Sequence, residues 1–202
     1  MPERENEWRY AVTVPFIIPG LTAGDMETLL TKRNYAYYCD SVKRLQNGEC
    51  AFCVFDTSLN QVLVENDSWR AWSVPLKFRK KHLKAHFVLA TKRHVLHYSE
   101  LSREEWMDQF DVLQELHKQF DISGGGLVTR FGDPALNACS VQHLHTNIVI
   151  PDCTGEVAET LAKTPEKIAQ AWQIMAVYEK LRQGTPVENL TDEEKKLVEG
   201  RL

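Results

Sequence analysis

The chain has 202 residues, of which 43% are hydrophobic and 26% charged, a composition typical of folded globular proteins rather than disordered ones. Its formal net charge of -4 gives no overall attraction for nucleic acid or for an anionic membrane, so we expect neither as a partner. No apolar run approaches the roughly 18 residues that a bilayer span needs. The polar start, MPERENEW, does not resemble a secretory signal, which favours a cytoplasmic location.

The cysteine count points to a reducing environment. Five cysteines in 202 residues are few and odd in number, which argues against a disulfide framework. Thiols that stay reduced can bind a metal ion, and two of the cysteines, Cys50 and Cys53, are close in sequence.

Residues 1–49 are predicted to be an N-terminal extension. Residues 13–21 form an extended stretch interrupted by prolines, and a helix is expected from about Asp25 to Leu45, ending near Gly48.

Residues 50–151 change character and are predicted to form the central domain. Short apolar stretches predict strands. A helix is expected from Ser102, because Glu105 three positions later completes a capping box and apolar residues then recur at helical spacing. Glycines at 124–126 break the pattern. The predicted strands are 61–66, 70–74, 86–91, 127–131 and 140–150, the last ended by Pro151.

Residues 152–202 are predicted to be a C-terminal helical extension. One helix is expected from Thr164, with Pro165 at its first position, to about Arg182, and a shorter one starts at Thr191. Strands, one helix and more strands, with helices added at both ends, predict an α+β fold with an antiparallel sheet.

The segment from Ser140 to Pro151 carries the main chemical signal. If it is a strand, alternate side chains share a face, so Val141, His143, His145, Asn147 and Val149 lie together and the other face is mainly apolar. Two histidines and an asparagine in a row are costly to bury without a purpose. A solvated outer face that carries polar residues by chance is the alternative, which we consider weaker.

This segment resembles the signature of the histidine-triad superfamily, S-V-x-H-x-H-x-H-x-x-x-P, with Asn147 in place of the third histidine. Two further segments are similar to the family. CAFC at 50–53 resembles a Cys-x-Phe-Cys opening, and HFVLATKRHVLHYSELS at 86–102 resembles its strand–turn–helix segment. The resemblance covers residues 50–151, about half of the chain, and implies a histidine-triad-like antiparallel sheet with one capping helix.

The resemblance also implies a mechanism. His145, the middle position, would attack the α-phosphorus of a nucleotide and form a nucleotidyl-histidine intermediate, which water or another acceptor resolves. An imidazole can do this near neutral pH if a hydrogen bond to its other nitrogen fixes the tautomer. His143 and Asn147 would complete the catalytic group, and Asn137, Ser140 and Asn147 would bind phosphate.

Cys50 and Cys53 can chelate one ion from a single turn, and a closed tetrahedral zinc site needs two more ligands. There is no second cysteine pair, so histidines must supply them. In the zinc-containing members that the chain resembles, these are the histidine before the ELS segment and the first of the triad, which implies His94 and His143. We therefore expect a structural Zn²⁺; an unmetallated or redox-active thiol pair is the alternative.

Three functions remain open. The first is an enzyme on dinucleoside polyphosphates or nucleoside phosphate conjugates, as a hydrolase or as a nucleotidyltransferase or phosphorylase. The second is a non-catalytic nucleotide sensor, which the missing third histidine keeps open. The third, a zinc-stabilised structural protein, leaves His145 and Ser140 without a role. Asn147, a neutral amide like the glutamine of the uridylyltransferase branch, favours transfer, and family resemblance implies a homodimer.

Overall fold

A computed structural model describes residues 15–32, 34–58, 60–76 and 79–202. Within it the chain divides into two compact units. The first contains the described residues up to Glu49 together with 133–140 and 161–202, and the second contains 50–132 and 141–160. No helix among the described residues is both long and apolar enough to cross a membrane.

The second unit is built on a five-stranded antiparallel sheet in the order β1-β2-β3-β5-β4. Its predicted helix is α3, which starts after the Ser102–Glu105 capping box. The α+β prediction with an antiparallel sheet is therefore confirmed. The bounds are β1 Val62–Glu65, β2 Trp69–Ser73, β3 Leu83–Thr91, α3 Arg103–Phe120, β4 Gly126–Arg130 and β5 His145–Pro151, with a 3₁₀ turn at Tyr98–Glu100.

The two faces of this sheet pack against different residues. Leu89 and Ile148 lie on one face and pack with Val112 and Leu116 of α3 into the larger core of the unit. The opposite face carries a smaller cluster of Trp72, Val88 and Ala90, partly covered by Phe52, Phe55 and Val74. This second face, which α3 leaves uncovered, is where the polar residues of β5 point.

The N-terminal edge of β4 requires a glycine. A Cβ atom on Gly125 would lie 2.6 Å from the Val149 carbonyl oxygen of the neighbouring strand, closer than any side chain tolerates. The glycine run that was expected to end α3 thus also lets β4 approach β5.

The first unit is helical and has its own core. Met26, Tyr38, Trp172, Met175 and Tyr178 are among its buried members. Helix α5 starts at the predicted Thr164 cap with Pro165 in its first turn, and α6 follows the Thr191–Glu194 capping box. The bounds are α1 Ala23–Leu29, α2 Tyr35–Gln46, α4 Pro134–Asn137, α5 Pro165–Arg182 and α6 Asp192–Val198, with a 3₁₀ turn at Val187–Asn189.

The single helix predicted from Asp25 to Leu45 is wrong. The chain forms α1, leaves helical geometry after Leu30, and starts α2 at an Asn34 cap whose side chain accepts a hydrogen bond from the Tyr37 amide at 2.9 Å. Asparagine stabilises a helix start more than a helix interior, and this local preference divides the predicted element. Of the predicted extended stretch, residues 13 and 14 lie outside the described residues.

Candidate active site and metal centre

The strand predicted from residue 140 begins only at His145, and residues 140–143 form bends instead. The prediction that Val141 and His143 share the strand face of His145 is therefore wrong. The shared face holds His145, Asn147 and Val149. The bent segment is anchored by the Leu144 amide, which donates to the Val95 carbonyl at 2.6 Å, and it turns His143 away toward the cysteine pair.

His145 is buried, with 4% of its surface exposed. Its Nδ1 lies 2.6 Å from the His143 carbonyl oxygen, which can only accept, so Nδ1 carries the proton and Nε2 the lone pair. Burial lowers the pKa of His145 to about 4, against the opposing effect of that hydrogen bond and with a smaller lowering from the positive charge of Arg130. No described residue bonds to Nε2. The ring is thus a neutral base and nucleophile with one available nitrogen.

His143 has the opposite arrangement. Its Nε2 donates to the Thr91 carbonyl at 2.8 Å, with the Thr91 hydroxyl at the same distance, so its lone pair lies on Nδ1. That nitrogen is 3.3 Å from Cys50 Sγ and 3.6 Å from Cys53 Sγ. Burial lowers the pKa of His143 to about 4, although the Thr91 carbonyl opposes the shift. A neutral imidazole braced through its second nitrogen is the form that binds metals.

The metal ligands predicted from the sequence come together. Single ligand atoms of Cys50, Cys53, His94 and His143 all lie within 4.8 Å of one another. The two cysteines are held in one turn by hydrogen bonds from the Cys53 and Val54 amides to the Cys50 carbonyl, at 3.0 and 2.9 Å.

The spacing of these atoms fits a tetrahedral ion. Zinc bonds of about 2.3 Å to sulfur and about 2.0 Å to nitrogen place sulfur and nitrogen about 3.6 Å apart. The measured sulfur-to-nitrogen distances are 3.3 and 3.6 Å to His143 and 3.5 Å from Cys53 to His94. Burial and the adjacent Cys50 raise the pKa of the Cys53 thiol to about 12, so the pair resists joint ionisation without a cation. The four residues can therefore hold a metal ion.

Phe52 joins the two sites. It lies between the two cysteines in sequence, and its ring contacts His143, His145 and Trp72 edge-on, with centroid distances of 5.6, 5.3 and 5.1 Å. The turn that carries the thiols thus also covers the ring of His145 with an apolar surface.

Asn147 is held by a residue that the sequence did not single out. Its Oδ1 lies 3.0 Å from His86 Nε2, on the neighbouring strand β3. His86 Nδ1 is buried and without a partner among the described residues, which suits a lone pair better than a proton, so Nε2 is the donor. Burial lowers the pKa of His86 and keeps the ring neutral. The Asn147 amide therefore keeps its N–H donors for another group.

Arg130 was also missed. It lies directly opposite His145 in the β4–β5 pairing, so the two side chains share the uncovered face. From the sequence, Arg130 could be recognised only as part of the predicted strand LVTRF. Its position opposite His145 depends on the register of the sheet, which tertiary pairing sets.

Asn137 and Ser140, predicted to bind phosphate, fall in the first unit. Asn137 is buried, and its Oδ1 accepts from the Cys139 amide at 2.8 Å in its own turn, where Ala138 has a φ of +48°. Ser140 is exposed, and its carbonyl accepts from Lys32 Nζ at 2.5 Å. Their roles toward a ligand remain predictions.

No family model matches the chain, and no curated protein does. Several solved structures that the chain resembles bear histidine-triad names. A HIT family hydrolase from Clostridium thermocellum is 19% identical, with 55% of this chain and 96% of that chain covered, at a TM-score of 0.43. A histidine triad nucleotide-binding protein from Candida albicans is 17% identical, with 67% of this chain and 96% of that chain covered, at a TM-score of 0.43.

A Plasmodium falciparum diadenosine triphosphate hydrolase, 19% identical over 64% of this chain and 79% of that one, has a TM-score of 0.38. With identities below 25% and TM-scores below 0.5, these likenesses carry no argument about family or activity.

Proposed function

We propose that the chain is an enzyme of the histidine-triad superfamily that transfers a nucleotidyl group through His145. The observation that supports this best is the state of the His145 ring. It is neutral, its Nδ1–H is held by the His143 carbonyl at 2.6 Å, and Nε2 has no partner among the described residues. That nitrogen is therefore available to attack a bound substrate.

In the proposed reaction, Nε2 of His145 attacks the α-phosphorus of a dinucleoside polyphosphate or nucleoside phosphate conjugate. The Nε2–P bond forms while the bond from phosphorus to the leaving oxygen breaks, and the leaving group departs with that electron pair. The ring becomes cationic, and the His143 carbonyl stabilises the positive charge through Nδ1–H. An acceptor oxygen then attacks phosphorus, the Nε2–P bond breaks, and the neutral ring is restored.

The experiment that tests this is capture of the intermediate. The full chain is incubated with a panel of α-³²P-labelled nucleotides, quenched in base and examined for covalent label. We expect label on the wild type and on His117→Ala, a control at an exposed histidine of α3. His145→Ala should bind nucleotide but lose the label and at least a thousandfold in turnover.

Turnover of His145→Ala within tenfold of wild type would refute the mechanism. Tight nucleotide binding with neither label nor turnover in the wild type would instead favour the sensor, in which the site binds without reacting.

The acceptor is proposed to be an anion rather than water. The Asn147 oxygen is engaged by His86 Nε2, so Asn147 offers N–H donors and cannot relay a proton from an attacking water. Diadenosine tetraphosphate turnover should therefore rise with inorganic phosphate, with nucleoside diphosphate as a product. Asn147→His should shift the products toward nucleoside monophosphate. Monophosphate release in water, unchanged by phosphate, would contradict this proposal.

The metal at Cys50, Cys53, His94 and His143 is proposed to be a structural Zn²⁺. Two thiolates and two imidazoles are the ligand set that zinc prefers, and all four positions come from protein, which leaves none for substrate. When bound, zinc would neutralise both thiolates and lock the turn that carries Phe52. Metal analysis of the purified chain should give one zinc per chain.

A further inference from the structure

Three charged side chains form a partly buried cluster beside His145. Glu159 bridges Lys80 and Arg130, with its carboxylate oxygens 2.7 Å from Lys80 Nζ and 3.0 Å from an Arg130 nitrogen. The Arg130 and Glu159 side chains are only 11% and 14% exposed. Since Arg130 is the cross-strand neighbour of His145, this cluster lies on the face that carries the nucleophile.

The carboxylate of this cluster comes from a loop. Residues 152–160 follow β5 without forming a helix or strand, and most of them are exposed. Besides the ion pairs of Glu159, the loop is held by a hydrogen bond from Lys80 Nζ to the Ala158 carbonyl at 2.7 Å and by a 2.8 Å contact between His82 and Thr154. Loops of this kind open at low cost compared with strands and helices.

A single carboxylate holds both cations of the cluster. Glu159 contacts the Lys80 ammonium through one oxygen and the Arg130 guanidinium through the other. A phosphate dianion would neutralise both cations, and guanidinium binds phosphate through two parallel hydrogen bonds. Two cations that follow β3 are engaged elsewhere: Lys92 pairs with Glu65 at 2.9 Å and Arg93 with Glu105 at 2.5 Å.

We propose that Lys80 and Arg130 form a phosphate-binding site that the chain's own Glu159 occupies until a phosphate group displaces it. The inference rests on the proposed function, because the phosphate bound by Lys80 and Arg130 would take part in the reaction at His145. The phosphate can be free inorganic phosphate, as the acceptor, or a distal phosphate of the nucleotide. In either case Glu159 competes with it, and the site takes a phosphate group only after the loop has moved.

The test is phosphate binding to the full chain, measured by isothermal titration calorimetry at fixed ionic strength. Glu159→Gln should bind inorganic phosphate about five- to tenfold more tightly than wild type, because a competing, partly buried ion pair is gone. Glu156→Gln, the same change at an exposed position of the same loop, should match wild type. Adding Arg130→Gln to Glu159→Gln should remove the gain.

A comparison of ATP with AMP separates the two sources. A gain in Glu159→Gln for ATP but not for AMP assigns the site to the nucleotide's distal phosphates, and a gain for inorganic phosphate alone assigns it to the acceptor. Equal affinities of wild type, Glu156→Gln and Glu159→Gln for inorganic phosphate and for ATP would overturn the proposal.

A second measurement needs no variant. Saturating phosphate should displace Glu159 in the wild type and so speed amide hydrogen exchange in residues 152–160, whereas sodium chloride at equal ionic strength should not. Unchanged or slower exchange with inorganic phosphate, and also with ATP, would overturn the proposal. Both readouts are independent of turnover, so they remain valid in His145→Ala. Absence of the labelled intermediate in the wild type would refute the proposed function without affecting the test of the phosphate site.

Discussion

His143 and His145 show how two histidines only two residues apart acquire different chemistry. Each donates one ring N–H to a backbone carbonyl, but His143 does so through Nε2 and His145 through Nδ1. The remaining lone pair therefore lies on Nδ1 in His143, toward the thiols, and on Nε2 in His145. Backbone hydrogen bonds thus direct the lone pair of His143 toward the thiols and leave that of His145 available for the proposed nucleophilic attack.

The low pKa of His145 gives a pH prediction for activity. Burial holds the folded-state pKa at about 4, below the ordinary value of 6.5, so the nucleophilic neutral ring prevails above pH 4. The value of kcat/KM should stay level from pH 8 to about pH 5 and fall only as the pH approaches 4. A fall centred near pH 6.5 in a protein that stays folded would show that this ring is not buried as described.

Lys32 provides a test of stability against pH. It is 8% exposed, and burial lowers its pKa from 10.5 to about 8. Between pH 8 and 10.5 this lysine binds more protons in the unfolded chain than in the folded one, so its own contribution to the free energy of unfolding should rise with pH, by on the order of 3 kcal/mol in total. Lys32→Met should lack this rise, and Lys43→Met, at an exposed position of α2, should keep it. Denaturant titrations at pH 7, 8, 9 and 10.5 measure the difference.

At the scale of elements, the Cys50–Cys53 turn has no regular secondary structure, so its stability is expected to depend on the metal. Cys50→Ser with Cys53→Ser should lose the metal and lower the melting temperature, because a metal bound only by the folded chain stabilises the folded state. The double substitution Cys39→Ser with Cys153→Ser changes cysteines outside the cluster, so it should retain the metal and the melting temperature of wild type. The metal centre would be ruled out if the Cys50→Ser, Cys53→Ser double variant melted at the temperature of wild type and if Cys50 and Cys53 of wild type both reacted freely with a thiol reagent.

The start of α3 offers a prediction of known size. The Ser102 side chain accepts from the Glu105 amide at 3.2 Å, and the Glu105 carboxylate accepts from the Ser102 amide at 2.8 Å. Ser102→Ala should therefore lower the free energy of unfolding by about 1 kcal/mol. Ser99→Ala, whose side chain has no described hydrogen bond, should change it by much less. Denaturant titration at neutral pH measures both.

The elements that the sequence predicted well are those whose signals are local. The capping boxes at Ser102 and Thr191 and the proline at 165 marked helix starts that the structure has at those residues. The break between α1 and α2 was missed although its signal, the Asn34 cap, is also local. The turn of His143 was missed because it depends on a hydrogen bond from Leu144 to Val95, 49 positions away in the chain.

The candidate site divides in the same way. The grouping of Cys50, Cys53, His94 and His143 could be predicted because the motifs place them in a recognisable order, whereas the role of His145 stays a prediction. Arg130, His86 and Glu159 could not, because they approach β5 from β4, from β3 and from a later loop. Only strand register and ion pairing bring them together, and neither is encoded in a short segment.

At the scale of the whole molecule, an aromatic cluster on the second unit supports the expected homodimer. Tyr98 stacks on Trp106 at 4.5 Å and contacts Phe131 at 5.7 Å, and Trp106 and Phe131 are about half exposed. Exposed aromatic groups of this kind mark protein interfaces. We expect a dimer by sedimentation velocity and a monomer for Phe131→Glu. Leu76→Glu, an exposed apolar position before β3, should remain dimeric. A monomeric wild type at micromolar concentration would contradict this.

Trp72 has a further consequence for experiment. Its buried indole is contacted edge-on by Phe52 at 5.1 Å and by Phe55 at 4.9 Å, rings that belong to or follow the cysteine turn. Any loosening of that turn would admit water to the indole and shift its emission to longer wavelength. The chain thus contains an intrinsic fluorescent reporter of its metal centre. Chelator titration should shift the emission of wild type, and Trp72→Phe should remove the part of the shift that comes from this tryptophan.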